Sequence, residues 1–287
     1  MDGVQELTRE PVEELAALVR PGGVLVLSGA GLSTESGIPD YRGPTGTLRR
    51  ATPMTYQTFV GDTAARRRYW ARSHLGWSRM RGAGPNDGHR ALAAIDPDLL
   101  ITQNVDGLHQ AGGATGVVEL HGSLAEVTCL TCGELLPRGE LDRRLREANP
   151  AFDAQIAAVN PDGDVDLADD DLSGFHVVGC GVCGDGVLKP DVVFFGESVP
   201  RARVAQCFEL VAVARALVVL GSSLKVMSGR RFVLAALKRG IPVAIVNQGA
   251  TPVDDRVALT VSAPLGVVLP RLVELCRMPV PTTAAAV

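Results

Sequence analysis

Four of the six cysteines in this 287-residue chain fall into two C-x-x-C pairs, Cys129/Cys132 and Cys180/Cys183. Each pair can place two thiolates on one tight turn, and two such turns complete a tetrahedral shell of four sulfurs. Gly133 follows the first pair, and Gly181 and Gly184 flank members of the second, as knuckle turns require. The interval from Cys132 to Cys180 is longer than in a compact zinc ribbon, so an inserted loop is expected between the knuckles. A closed four-sulfur shell leaves no open coordination position, so the expected metal is one structural Zn2+ rather than a catalytic ion. Unligated thiols or a redox pair are the alternative. Cys207 and Cys276 stand alone in apolar, helix-like surroundings and read as core residues.

Three more constellations each follow a short apolar run. Val24-Leu25-Val26-Leu27 opens into Ser28-Gly29-Ala30-Gly31-Leu32-Ser33, a small-residue turn that could let backbone approach a pyrophosphate. Thr34 stands where G-x-G-x-x-G would have its third glycine, and no clear acidic residue ends a second strand about 20 residues later. A hydride-transferring dehydrogenase is therefore disfavoured. Residues 33–42, polar and bearing Gly37 and Pro39, suit a loop that folds over a ligand. Ile101-Thr102 runs into Gln103-Asn104-Val105-Asp106, where Asn can orient an amide and Asp can accept from a ribose hydroxyl. A purely structural Asn/Asp turn would have the same composition. Glu119-Leu120 leads to His121-Gly122, and an imidazole of ordinary pKa, about 6.5, suits proton removal from a sugar hydroxyl. Alone, such a histidine is more often a satisfied core or surface residue than a catalytic one.

The elements that must position these groups follow from the apolar pattern. Buried strands are expected at 24–27, 99–102, 117–120, 217–220, 243–246 and 258–261, with helices at 12–19, 201–215 and 230–239. Strands alternating with helices predict an α/β fold, a doubly wound Rossmann-like parallel sheet. Residues 41–90, rich in arginine and holding Trp70 and Trp77, read as a helical insertion, and 122–188 as a smaller zinc-binding module. The Rossmann-like part is then 1–40, 91–121 and 189–275, leaving 276–287 as a tail. The acidic stretch 161–171 reads as a solvated loop.

Composition narrows the function classes. Apolar residues make up 46% and charged residues 21%, enough for a sizeable core. The net charge of −4, with no Lys/Arg block, argues against a nucleic-acid partner. No apolar run reaches the roughly 18 residues of a membrane span. The acidic, amphipathic N-terminus resembles neither a signal nor a transit peptide, so a cytoplasmic location is expected, where thiols stay reduced.

Taken in order, these blocks resemble the sirtuin family. The similarity is carried by residues 29–42, by Thr102-Gln103-Asn104-Val105-Asp106, by Leu120-His121-Gly122 and by the two cysteine pairs. It continues through Lys189-Pro190-Asp191-Val192-Val193-Phe194-Phe195-Gly196-Glu197 and Gly221-Ser222-Ser223-Leu224. Arg68-Tyr69-Trp70-Ala71-Arg72 and Pro161-Asp162-Gly163-Asp164 look similar to class II members. The resemblance implies an NAD-dependent protein lysine deacylase that yields free lysine, nicotinamide and O-acyl-ADP-ribose. It implies His121 as general base with Asn104 beside it. Gly29, Ala30, Gly31, Ser33, Ser36, Pro39, Asp40, Tyr41 and Arg42 would cover the pyrophosphate and nicotinamide ribose. Gln103, Asn104, Val105 and Asp106 would surround the nicotinamide pocket; Gly221, Ser222 and Ser223 would hold phosphate or ribose; Asn247, Gln248 and Gly249 the adenosine end. Val193, Phe194, Gly196 and Leu224 would form the slot where an acylated protein lysine enters on an added peptide strand.

The chain departs from the family near its final strand, where a Cys-Gly-Glu is replaced by Leu265-Gly266-Val267; a backbone contact to adenine carries Leu265 over. Arg49, Arg50, Arg72 and Arg79 could pair with an acidic acyl group but also suit solvated surface. A mono-ADP-ribosyltransferase, which would use the same NAD site, is the nearest rival. A non-catalytic NAD sensor or zinc-stabilised binding module is a rival of another kind.

Overall fold

The computed structural model describes residues 9–41, 53–152, 158–159, 165–166, 172 and 174–278. Its main element is a six-stranded sheet of β1 (Val24–Ser28), β2 (Leu99–Thr102), β3 (Val117–Glu119), β9 (Ala216–Leu220), β10 (Val243–Val246) and β11 (Leu259–Val261). The order is β11-β10-β9-β1-β2-β3 and every pairing is parallel. The chain builds outward from β1 in one direction to β3, then returns beside β1 and builds outward the other way. The switch point between β1 and β9 is where an open parallel sheet leaves a crevice at its carboxyl edge.

Alternation explains why these apolar runs are strands buried on both sides. Val24 and Val26, Ala216 and Val218, and Ala244 and Val246 face one helical layer. Leu25 and Leu27, Leu217 and Val219, and Val243 and Ile245 face the other. The first layer is α1 (Arg9–Val19), α4 (Asp87–Ile95) and α9 (Leu265–Arg277), which bury Leu15, Leu92 and Leu269. The second is α7 (Arg201–Val213) and α8 (Met227–Lys238), with Val211 and Phe232 as anchors. All six strands expected from the sequence are present, within a residue or two at their ends. The helix expected at 230–239 starts earlier, at Met227, and that shift matters below.

Helices α2 (Tyr56–Gly61) and α3 (Thr63–Gly82) pack with a small antiparallel sheet, β5 (Leu135–Pro137), β4 (Gly122–Cys129) and β8 (Leu188–Val192). Sequence patterning did not anticipate this sheet. Asp62 caps α3 by accepting from Ala64 N and Ala65 N at 2.8 and 3.0 Å. Inside the cluster, Arg138 of α6 (Arg138–Ala148) lies between the rings of Trp70 and Trp77. Helix α4 runs across the boundary expected at residue 90 and packs against α9. Of the acidic stretch, Val165 and Asp166 form β7, paired with β6 (Ala158–Val159). Its other residues lie outside the described ones, as do Arg42, Arg49, Arg50 and the tail from 279. Among the described residues no helix is long and apolar enough to cross a membrane. Cys207 is fully buried and Cys276 packs at the edge of the core.

Beneath the sheet's carboxyl edge, His89 of α4 and His109 of α5 (Leu108–Ala111) meet edge to face at 5.3 Å. Burial pushes their imidazoles down, to about 4 for His89 and about 3 for His109. Both are thus neutral when folded, while the unfolded chain takes up their protons below about pH 6.5. The folded state should therefore lose stability as the pH falls through that window, on the order of 2 kcal/mol per ring by pH 5. Denaturant unfolding at pH 7.5 and pH 5 checks this, and His109→Gln should flatten the dependence.

Candidate active site

Every strand of the parallel sheet releases a loop toward one cleft of about 1040 Å3. Such a volume exceeds that of an ordinary small-ligand pocket and suits a dinucleotide together with a second substrate. After β1 comes the turn at Gly29-Ala30-Gly31. A Cβ on Gly31 would sit 2.9 Å from the Gly221 backbone, so this glycine is what lets the β1 and β9 loops touch. Gly31 N donates to Gly221 O at 2.9 Å. No α-helix follows; the chain makes two short 3-10 turns, Ala30–Leu32 and Thr34–Ser36. A dinucleotide here would not meet the long helix N-terminus of a dehydrogenase, in keeping with the missing third glycine.

After β2, Gln103 reaches across two neighbours: its Nε2 donates to Ser28 O at 3.1 Å and to Ser222 Oγ at 2.8 Å. Asn104 is buried, its Nδ2 donating to Gly29 O at 3.2 Å and Ser33 Oγ at 3.0 Å. With the amide nitrogen so engaged, Oδ1 remains as the acceptor for a ligand hydroxyl or water. Asp106 accepts from Ser33 Oγ at 2.7 Å and from Leu108 N at 3.0 Å. The loop after β1 is thus stitched to the loop after β2. Behind them Ser28 Oγ donates to Thr102 Oγ1 at 2.9 Å and lies 2.7 Å from His109 Nε2.

His121 occupies the link between β3 and β4. Its Nδ1 lies 2.9 Å from Gln103 O, and a carbonyl can only accept. Nδ1 therefore carries the proton of the neutral ring and Nε2 carries the lone pair. Burial pushes this imidazole down to about 4, with Arg203 and Arg231 acting in the same direction and the Gln103 carbonyl opposing. It is a neutral base at physiological pH.

His121 O accepts from Val193 N at 2.8 Å, which joins the base to the loop after β8. That loop is held by buried Lys189, whose Nζ donates to Val192 O at 2.6 Å and faces Glu197 Oε2 at 3.2 Å. Glu197 Oε2 in turn accepts from Phe194 N at 2.8 Å. Opposite stands Leu224, buried and held at φ 51°, a left-handed backbone conformation costly for a leucine.

The cleft wall includes Gly29, Ala30, Gly31, Ser33, Asp40, Tyr41, Gln103, Asn104, Val105, Asp106 and His121. It also includes Val193, Phe194, Gly196, Gly221, Ser222, Ser223, Leu224, Asn247, Gln248, Gly249 and Leu265. Ser36 and Pro39 do not line it, and Arg42 lies outside the described residues. Arg72 is half-buried away from the cleft and Arg79 is exposed. Sequence reasoning missed Ser228, Arg231, Val204 and Phe208, all on the wall. A serine at the start of an amphipathic helical pattern was the available signal for the first of these.

The four cysteines expected to bind metal converge, their Sγ atoms all within 4.8 Å of one another. Cys129 and Cys183 lie 3.7 Å apart, Cys132 and Cys180 3.8 Å. Tetrahedral Zn–S bonds of about 2.3 Å place sulfurs about 3.8 Å apart, so the donors fit one closed zinc site. The cysteines do not line the cleft, in keeping with a structural ion. Metal analysis should find one zinc per chain, and Cys132→Ser or chelation should lower Tm by about 10 °C or more.

The chain is similar to known proteins in sequence and in fold. The profile of the Sir2 family matches residues 29–228. NAD-dependent protein deacetylase 1 of Streptomyces coelicolor is 60% identical over 277 residues, covering 95% of this chain and 92% of that protein. An NAD-dependent protein deacetylase of Bordetella bronchiseptica is 50% identical over 255 residues, covering 88% and 93%. A solved structure of Sir2 with a p53 peptide and NAD+ aligns with a TM-score of 0.73 at 28% identity, over 91% of this chain and 96% of that one. With a matching family profile and relatives alike over nearly their whole length, this chain belongs to the Sir2 family, the sirtuins.

Proposed function

We propose that this chain is an NAD-dependent protein lysine deacylase, active on acetyl-lysine, in which His121 is the general base. The observation that carries the reading is the tautomer of His121. Nδ1 is fixed by the Gln103 carbonyl, so Nε2 carries the lone pair, and His121 stands on the cleft wall. NAD, when bound, supplies an activated anomeric carbon that the acyl oxygen attacks as nicotinamide departs. The residues of this chain bind, orient and move one proton. The Gly29-Ala30-Gly31 turn, with Ser222 and Ser223 facing it, receives the phosphates; Asn247, Gln248, Gly249 and Leu265 take the adenosine end. Asp106 and Asn104 offer acceptors to ribose hydroxyls or to water. Val193, Phe194, Gly196 and Leu224 flank the path of the acyl-lysine, carried by a peptide that adds as a strand beside 193–196. His121 Nε2 then takes a proton from a ribose hydroxyl, freeing that oxygen to attack the transferred acyl group. The zinc module, 122–188, braces β4 and β8 and takes no part in the chemistry.

The division into a Rossmann-like NAD-binding part, a helical module at 41–90 and the zinc module belongs to the same reading, as does a cytoplasmic location. Protein mono-ADP-ribosylation would use the same cleft. Relatives at 50–60% identity that are named deacetylases support acyl transfer instead.

Incubation with NAD and an acetyl-lysine peptide should release nicotinamide only when the peptide is acylated. ADP-ribose label accumulating on protein without acyl loss would overturn the reading. His121→Ala should lower kcat by about 100-fold or more while NAD binding persists. Asn104→Ala should slow nicotinamide release by roughly 100-fold, with peptide affinity changed far less. Single-turnover assays with isothermal calorimetry separate these effects.

A further inference from the structure

His121 is engaged on both ring nitrogens. Nδ1 donates to Gln103 O, so the contact at Nε2, 2.8 Å from Ser228 Oγ, has the serine hydroxyl as donor. Ser228 lies in the first turn of α8 and is buried. Serine near a helix start ordinarily caps a backbone N–H. This one does not: Val226 is the N-cap and makes no side-chain bond, while the Ser228 hydroxyl is turned to the imidazole. The next residue completes the arrangement. A Cβ on Gly229 would come 2.5 Å from Gln103 Oε1, so only glycine leaves room for the residue whose carbonyl holds Nδ1. Ser228 thus meets the imidazole directly, while Gly229 leaves room for the Gln103 side chain.

We infer that Ser228 is a positioning residue for proton transfer, holding the Nε2 lone pair toward the cleft until a substrate hydroxyl displaces it and then accepting from Nε2–H. This role rests on His121 being the base. The step balances within the pair. The substrate O–H bond breaks, the Nε2–H bond forms, and the Ser228 hydroxyl rotates from donor to acceptor, keeping its own proton. Without it, the ring is held at Nδ1 alone and can tilt away from the attacking geometry, a displacement to which rates are sensitive.

The charged groups acting on the ring are Arg203 of α7 and Arg231 of α8. From β2 and β8 it meets uncharged backbone, at Gln103 and Val193. Because the Ser228 hydroxyl accepts from Nε2–H once the ring is charged, and the charge-assisted bond is the stronger of the two, its loss should make His121 harder to protonate.

The test is Ser228→Ala beside Ser228→Thr and His121→Ala, with kcat, both KM values and the pH dependence of kcat/KM for the acetyl peptide. Ser228→Ala is expected to lower kcat about 10-fold with both KM values within about twofold, and to move the acid limb to lower pH. Ser228→Thr, which keeps the hydroxyl, should recover most of the rate and the limb. Wild-type kcat and limb in Ser228→Ala would overturn the proposal. So would a loss of rate with an unmoved limb and no recovery by threonine, which marks a packing role. Turnover surviving in His121→Ala overturns the base assignment itself, a result distinct from either.

Discussion

Gln103 is the joint on which the cleft depends. Its backbone N–H donates to Ser28 O at 3.0 Å, its side-chain amide bridges Ser28 O and Ser222 Oγ, and its carbonyl holds His121. One residue therefore sets the spacing of the β1, β2 and β9 loops and the tautomer of the imidazole. Its partners Ser28 and Ser222 are buried, where an unmade hydrogen bond costs about 1–3 kcal/mol, so the arrangement is over-determined. The glycines follow from it: Gly31 and Gly229 occur where a side chain would push against the loop or the amide that Gln103 fixes.

Much of the sheet was legible because parallel strands covered on both faces read as continuous apolar runs, and six of them were found within a residue or two. The cysteine pairs were legible because metal geometry dictates their spacing. The loop residues of the cleft, including Gln103, Asn104 and His121, could be marked as candidates by their place after strands. Their mutual contacts could not. The small β5-β4-β8 sheet escaped because its strands carry no clean alternation: β8 contains Pro190 and a buried Lys189, whose cost is met by Glu197, two carbonyls and the Phe194 ring, all near in sequence. Ser228 escaped because the helical periodicity reads clearly only from Arg230 onward, leaving the first turn to look like loop.

Two kinds of order meet at the cleft. The parallel sheet is held by non-directional burial and tolerates changes of apolar side chain that preserve volume. The 193–196 loop is held by a handful of directional bonds to His121, Lys189 and Glu197, and Leu224 opposite it is kept in an unfavourable backbone conformation. Strain of this kind persists only where the surroundings enforce it. Leu224 accordingly depends on the Ser222 hydroxyl, 3.4 Å from its amide, and thus on the same serine that Gln103 engages.

The position of His121 has a mechanical meaning. Strand β3 ends at Glu119 and β4 begins at Gly122, so Leu120 and His121 are the whole connection between the parallel sheet and the first strand of the zinc-bearing one. Any relative movement of the two sheets would reach the imidazole through this link, which the Val193 N to His121 O bond ties to the return crossing after β8. Leu120 is fully buried and anchors one end of this link. A single residue inserted here would break the register between the Gln103 carbonyl and the ring it holds.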